Sequence, residues 1–375
     1  MGALSLRPKR SDGLDPSRTM DAALALRHLL NPMRRNSMPG GLRRLVVAGV
    51  WPDGHGFSAR FEAPRRSGVP VSWARWRDGL EMWPFPDDPA LPALPPLIEA
   101  GYQPIGHRLG RRATLGAADG SHLLHLRPGR SAAGVFNGWV AIHDTLSRAG
   151  VKVAQIGPHE SRVHAMRSEW VRSEERSVRP DERPSAGPSH AQMSALGETL
   201  GRAHAATPPS GLAPRGPGPA LDSAVRQVGL AVHSGTAFTQ WLERRLERWK
   251  LMGAPRRHAR ALVHGDLQLG HVAWADAPVI LDWDRAGPGD PEEDLGNLAA
   301  DLLWRWGPEA APAFAAFRGA YRAPGGSVHQ ELFDYYARLS LVKLLSVRAM
   351  SEADQVRLRT GQEQWSGWPE AVATW

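Results

Sequence analysis

Val263-His264-Gly265-Asp266-Leu267-Gln268-Leu269-Gly270-His271-Val272, followed a short loop later by Ile280-Leu281-Asp282-Trp283-Asp284-Arg285-Ala286-Gly287-Pro288-Gly289-Asp290-Pro291, carries the reading of this chain. Ala261–His264 and Val279–Trp283 are short apolar runs that predict strands. Each delivers an aspartate at its C-terminal end, Asp266 and Asp282, and the polar loop between them can hold a third ligand. Phosphoryl transfer needs this equipment. One carboxylate takes the proton of the accepting hydroxyl, and another holds a Mg²⁺ ion that neutralises phosphate oxygens. Hard oxygen ligands suit Mg²⁺. Between Arg260 and Glu309 the chain carries ten acidic residues against three arginines, as a cation-binding cleft would require.

Outward from this stretch, the two halves of the chain differ. Upstream, Arg44–Val50, Phe57–Glu62 and Val69–Trp76 read as strands separated by the turns at Asp53-Gly54 and, after the third, at Asp78-Gly79. After the proline-rich Pro84–Pro96, a second β block holds Arg111–Ala117 and His122–Leu126 around Asp119-Gly120. Val135–Arg148 has helical spacing, and Val151–Ile156 and Arg162–Val171 read as strands. Glu174–Pro188, rich in Glu, Arg, Ser and Pro, is the expected boundary. Beyond it, helices are expected at His190–Ala206 (capped by Ser189), Leu221–Leu251, Leu295–Trp306, Ala311–Tyr321 and His329–Met350. A further short helix is expected at Met20–Leu30. A β-rich half followed by a helical half gives an α+β fold class.

The 375 residues are 42% hydrophobic and 22% charged, enough for buried cores. Cysteine is absent, which excludes disulfides, zinc–thiolate sites and a cysteine nucleophile. No signal-peptide pattern and no long apolar run occurs, so a cytoplasmic protein without a membrane span is expected. The formal charge of +8 raises the question of polyanionic partners. Only four of the 46 basic residues are lysines, however, and the arginines are scattered in pairs. Nucleic acid is therefore not the expected partner. Fifteen tryptophans invite an aromatic substrate platform at Trp73, Trp76, Trp83, Trp304 and Trp306, but core packing is the expectation for them. Oligomeric state is not legible.

The motif H-G-D followed by hydrophobic-D-W-D and G-D-P-x-x-D-L resembles the aminoglycoside phosphotransferase/choline kinase-like family. The resemblance extends to Tyr102–Arg130, Glu169–Val171 and Leu196–His204 and covers roughly residues 100–350. It implies a protein-kinase-like, two-lobed fold. Residues 1–39 would be an irregular extension, 40–171 a β-rich small lobe with an N-terminal cap, and 172–375 a helical large lobe carrying the catalytic and metal loops. It implies ATP and Mg²⁺ as cofactors and a small-molecule hydroxyl as acceptor. Asp266 would be the catalytic base, and Asp282 the Mg²⁺ ligand with His271 beside it. His264 and Asp294 would brace the loop, and Glu169 and Val171 would meet adenine.

Two positions depart from the family pattern. His271 stands where the family has an asparagine ligand, and no lysine lies between Lys9 and Lys152, so the small-lobe lysine that grips the phosphates is missing. His125 occupies its register position. Arg127 shares its face by strand alternation and, with His125 beside it, is expected to meet the phosphates, with Arg112 and Arg130 as alternatives. The helix Val135–Arg148 has no glutamate to pair with a lysine. These departures keep a second expectation open, a catalytically degenerate kinase-like binding protein. The scattered glycines of Gly106–Gly116 form no phosphate-loop pattern.

Overall fold

The computed structural model describes residues 4–5, 25, 29–30, 45–53, 56–63, 66–76, 80–171, 187–256 and 260–351, with isolated positions beyond. The expected irregular extension, most of the Met20–Leu30 helix and nearly all of the Glu174–Pro188 boundary lie outside the described residues.

Two five-stranded antiparallel sheets make up the first half. In the first, β2 (Val46–Asp53), β3 (Gly56–Ala63), β4 (Arg66–Trp76) and β5 (Leu80–Pro84) form a meander, and β1 (Leu4–Ser5) pairs with β5, in the order β1-β5-β4-β3-β2. The strands on either side of the expected turns do pair as hairpins: Asp53 faces Gly56, and Trp76 faces Leu80. A short helix, α1 (Leu94–Glu99), follows the proline-rich crossing. The second sheet has the order β6-β7-β8-β10-β9, from β6 (Gln103–Arg108), β7 (Arg112–Gly116), β8 (His122–Leu126), β9 (Ile156–Glu160) and β10 (Ala165–Glu169). Between β8 and β9 runs α2 (Gly129–Arg148), which starts a turn and a half earlier than its apolar spacing suggests because Pro128 can precede a helix without losing a hydrogen bond. The strand expected at Val151–Ile156 instead begins at Ile156, the residue that pairs with Ser168.

The helical half comprises α3 (His190–Ala205), α4 (Pro217–Val232), α5 (Ala237–Met252), α6 (Glu292–Trp306), α7 (Ala311–Arg322) and α8 (Gln330–Ala349). Ser189 caps α3 as expected. Its Oγ accepts from Gln192 N at 3.1 Å, and Gln192 Oε1 accepts from Ser189 N at 2.7 Å, a reciprocal capping box. The single helix expected over Leu221–Leu251 is two. Gly235 takes a left-handed φ of 73°, and Thr236 then caps the second helix through Thr239 N. Helices α3 and α7 approach so closely at Gly197 that a Cβ there would lie 2.2 Å from the Phe317 carbonyl oxygen. The main core gathers Leu298, Leu302, Phe314, Phe317, Phe333 and Leu345. No described helix is long and apolar enough to cross a membrane.

Among the described residues, apolar packing joins the halves at two places. The C-terminal part of α2 packs Ile142 and Leu146 against Ala203 and Leu262. On the other side, β2 packs Val47 and Val50 against Ala231 of α4 and Met350 beyond α8, while β4 touches β6. The first sheet thus bridges the second sheet and the helical half.

Candidate active site

The first signature loop leaves β11 (Ala261–Val263), and the second ends in β14 (Gly287–Gly289), which runs antiparallel to β11. Between them lies the hairpin of β12 (Val272–Trp274) and β13 (Pro278–Ile280). β11 is buried along its whole length, because apolar Ala-Leu-Val packs inward and stops at His264. Gly265 then turns the chain with φ of 78°, and a Cβ there would meet the Arg215 guanidinium at 2.4 Å and the Arg285 carbonyl at 2.8 Å. Only glycine satisfies both demands.

The loops are clamped from below. Asp294, fully buried near the start of α6, accepts from His264 N at 2.6 Å, Gly265 N at 2.7 Å and His204 Nε2 at 3.0 Å. Burial pushes its carboxyl up, but the His204 hydrogen bond and the neighbouring imidazoles win and hold it below the usual range. His264 donates from Nε2 to the Leu281 carbonyl at 2.7 Å, and its Nδ1 accepts from Asp266 N at 3.2 Å. That network assigns the neutral Nε2–H tautomer, in accord with burial pushing this imidazole's pKa down. Arg215 joins the loops by donating to the carbonyls of Gly265 (3.2 Å) and Arg285 (3.0 Å), while Glu293 holds its Nε at 3.0 Å. Asp301 accepts from Leu269 N at 2.9 Å and from Arg305, and so braces the intervening turn.

Asp266 is a quarter exposed, with Arg285 Nη1 3.4 Å from Oδ2 and Lys343 Nζ 3.8 Å from Oδ1. Burial raises its carboxyl, but Lys343 and then Arg285 overcome this and hold it far below the ordinary range. Its carboxylate is therefore ionised at neutral pH. Asp282 sits at φ 61°, ψ 52°, a left-handed conformation that few residues except Asn, Asp and Gly adopt, and it projects its carboxylate into the same cleft. His271 lies between the two aspartates: its Nδ1 donates to the Asp266 carbonyl at 2.8 Å, and its Nε2 stands 3.8 Å from Asp282 Oδ2.

The β-rich half contributes cations. Arg112 Nη1 donates to Asp282 Oδ1 at 2.9 Å and also reaches Asp284 Oδ2, which Arg127 Nη2 engages as well. Arg127 lies over the Trp139 ring at 5.5 Å. The structure thus brings Asp266, His271, Asp282 and Arg127 to one cleft of about 1370 Å³, and Glu169 and Val171 line it too. His125 lines it as well, but its Nε2 pairs with Ser168 Oγ at 2.8 Å and its ring stands edge-on to Trp139. Burial pushes its pKa down to about 4, so it is neutral. The amide N–H of Glu169 is spent on the Gln155 carbonyl at 2.7 Å. The Gly110 N–H is likewise spent on Asp88 Oδ2 at 2.8 Å, so the β6–β7 turn does not offer it to a phosphate.

The acidity of Arg260–Glu309 means less than its count suggests. Asp294 and Asp301 are consumed by backbone amides, Glu293 by Arg215, Asp290 by Tyr336 and Glu292 by the His329 amide. These carboxylates hold the loops, and of these five Asp301 alone also lines the cleft. Among the tryptophans, Trp73, Trp304 and Trp306 are buried as expected, while Trp51, Trp139, Trp170 and Trp283 face the cleft. Sequence reasoning missed Arg215, Asp301 and Lys343. Lys343 had a signal, being one of four lysines in an arginine-dominated chain and lying within an apolar helix. Arg215 had none.

A model of the phosphotransferase enzyme family matches residues 105–332, which span the second sheet, both signature loops and the start of α8. The chain belongs to the phosphotransferase enzyme family. Its β-rich and helical halves are the two lobes of the family's kinase-like fold. Among solved structures, an aminoglycoside phosphotransferase from Streptomyces rimosus, in complex with ADP and streptomycin, is similar at 19% identity over 68% of this chain and 98% of that one, with a TM-score of 0.47. A choline/ethanolamine kinase family protein from Mesorhizobium loti shares 17% identity over 73% of this chain and 92% of that one, with a TM-score of 0.47. A macrolide 2'-phosphotransferase from Brachybacterium faecium shares 20% over 72% and 91%, with a TM-score of 0.43. A comparison with curated proteins finds no match. The match omits β1–β5, so the bridging sheet lies outside the matched segment.

Proposed function

We propose that the chain transfers the γ-phosphoryl group of ATP, with Mg²⁺, to a hydroxyl of a small molecule. The observation that carries this reading is the convergence of Asp266 and Asp282 on one cleft, from two loops fixed by the buried Asp294–His264 pair and by Arg215. Asp266, ionised and reachable from the cleft, orients the hydroxyl and takes its proton. Hard carboxylate donors suit the metal, and the buried Oδ1 of Asp284 has no hydrogen-bond partner among the described residues, which fits a cation beside Asp282. Asp282, Asp284 and the Nε2 of His271 would hold Mg²⁺, which when bound shields the phosphate oxygens. Adenine would rest on the strand end at Glu169–Val171, through groups other than the committed Glu169 amide. Arg127 and Arg112 would meet the phosphates in place of a lysine. His125 would act as their neutral neighbour, supporting Trp139 beneath Arg127.

A second reading, a catalytically degenerate kinase-like binding protein, draws on the ion pairs themselves. The two arginines available for phosphate are held by Asp282 and Asp284 in the free protein. A thermal-shift titration separates the readings. Stabilisation by Mg·ATP that is lost in Asp282→Asn supports the transferase, and a wild type that does not respond supports the binding protein.

A further inference from the structure

This inference rests on the transferase reading and concerns its acceptor. The cleft wall beyond Asp266 is built from parts of the chain outside the matched segment, together with α4, and the charged side chains it turns to the cleft are cations. On α8, Lys343 stands 3.8 Å from Asp266 Oδ1, and Arg348 follows five residues later, about 7 Å along the helix axis. β2 packs against this helix and against α4, and so brings Trp51 to the cleft, with the Arg60 guanidinium 5.8 Å from its ring. α4 adds Arg226 and Gln227, and all six residues line the same cleft as Asp266.

The unsatisfied atoms on this wall are donors. Arg60 pairs with Glu62 (2.8 Å) and Arg348 with Asp354 (3.3 Å), yet the Nε of each arginine is buried without a hydrogen-bond partner among the described residues. Gln227 is 7% exposed, and its Nε2 is likewise buried and unpartnered. Arg226 is exposed and makes no ion pair among the described residues. The carboxylates lining the cleft lie elsewhere. Asp266, Asp282, Asp284 and Asp301 belong to the signature loops and α6 and are each paired with Arg or Lys, and Asp119 and Glu169 stand at the far end on the second sheet. A polycationic acceptor would meet like charges on this wall. A ligand that satisfies it must bring oxygen acceptors and negative charge.

We propose that the acceptor is an anionic alcohol, whose hydroxyl reaches Asp266 while its carboxylate, phosphate or sulfate group is held by Arg226 and Arg348 with Gln227. In the transfer, the acceptor oxygen bonds to the γ-phosphorus and the bond to the β–γ bridging oxygen breaks. ADP departs with that electron pair, and the hydroxyl proton passes to the Asp266 carboxylate. The test is binding by titration calorimetry to the full chain in the presence of Mg·ADP, using glucose, glucosamine, glucuronate and glucose 6-phosphate. The two anions should bind at least about ten-fold more tightly than glucose, and glucosamine most weakly, as expected for charge-assisted hydrogen bonds. Comparing glucuronate with glucose 6-phosphate tells a carboxylate site from a phosphate site. Arg226→Gln, at an exposed position that does not threaten folding, should remove most of the preference, and Arg348→Gln should do the same. Equal binding of all four, best binding of the amine, binding of none, or a preference untouched by both substitutions overturns the proposal. Mg·ATP binding measured on the same samples reports separately on the transferase reading, since only its loss removes the donor.

Discussion

Arg112 and Asp282 meet across the cleft, 170 residues apart in sequence, with Nη1 2.9 Å from Oδ1. The β-rich lobe thereby contributes the counter-charge to the proposed metal aspartate. Burial raises the Asp282 carboxyl, and Arg112 more than reverses this. Arg112→Gln should lower Mg·ATP affinity by about ten-fold, since a guanidinium on phosphate makes charge-assisted bonds. Both side chains are partly exposed, so the stability cost should stay near or below about 1 kcal/mol. Calorimetry and a denaturant melt check the two numbers. A large loss of stability with unchanged affinity would make Arg112 a structural latch only.

Asp266→Asn should reduce turnover by roughly 10²–10⁴-fold, the range for removing a positioned base. The carboxylate is a quarter exposed and its ion pairs are long, so the melting temperature should change little. Steady-state kinetics beside a thermal melt decide it, and an unchanged rate in a folded variant removes Asp266 from the chemistry.

Asp294 carries the opposite expectation. It is fully buried and accepts three hydrogen bonds, so Asp294→Ala should destabilise the fold by about 3 kcal/mol. Its folded carboxyl lies below the ordinary value, so its contribution is complete above that value and is lost as pH falls through the folded one. Removing the His204 donor by His204→Phe should raise that folded value and shift acid unfolding to higher pH. An unmoved acid transition would show that His204 does not set it.

His125 is depressed from 6.5 to about 4 by burial. The unfolded chain binds this proton first, so stability falls as pH drops from about 6.5 towards about 4. His125→Gln should flatten the dependence in that window, as read by chemical melts at successive pH values. An unaltered slope would assign it to other groups.

The signature loops were legible because their chemistry is local. Strand, turn and aspartate lie within a few residues, and the fold places Asp266, His271 and Asp282 as that spacing requires. The α+β division was legible for the same reason, since periodicity changes after residue 170. What remained hidden depends on contacts distant in sequence. The acids of α6 looked like a cation cleft because sequence cannot show that Arg215 and backbone amides would claim them. Arg127 was placed on the cleft by strand alternation, but its engagement by Asp284 needed the second lobe. The helix break at Gly235 was masked by apolar spacing that continues across it.

The bridging sheet has a mechanical consequence. In a two-lobed molecule joined by one crossing, the jaws swing about a single axis. Here β4 rests on β6 while Val47 and Val50 rest on Ala231 and Met350, so the jaws are riveted at a second point. Widening the cleft must slide that apolar patch, and a pair of hands clasped at both wrist and fingertip parts only by shear. The gape of this molecule is thus written into the packing around Ala231.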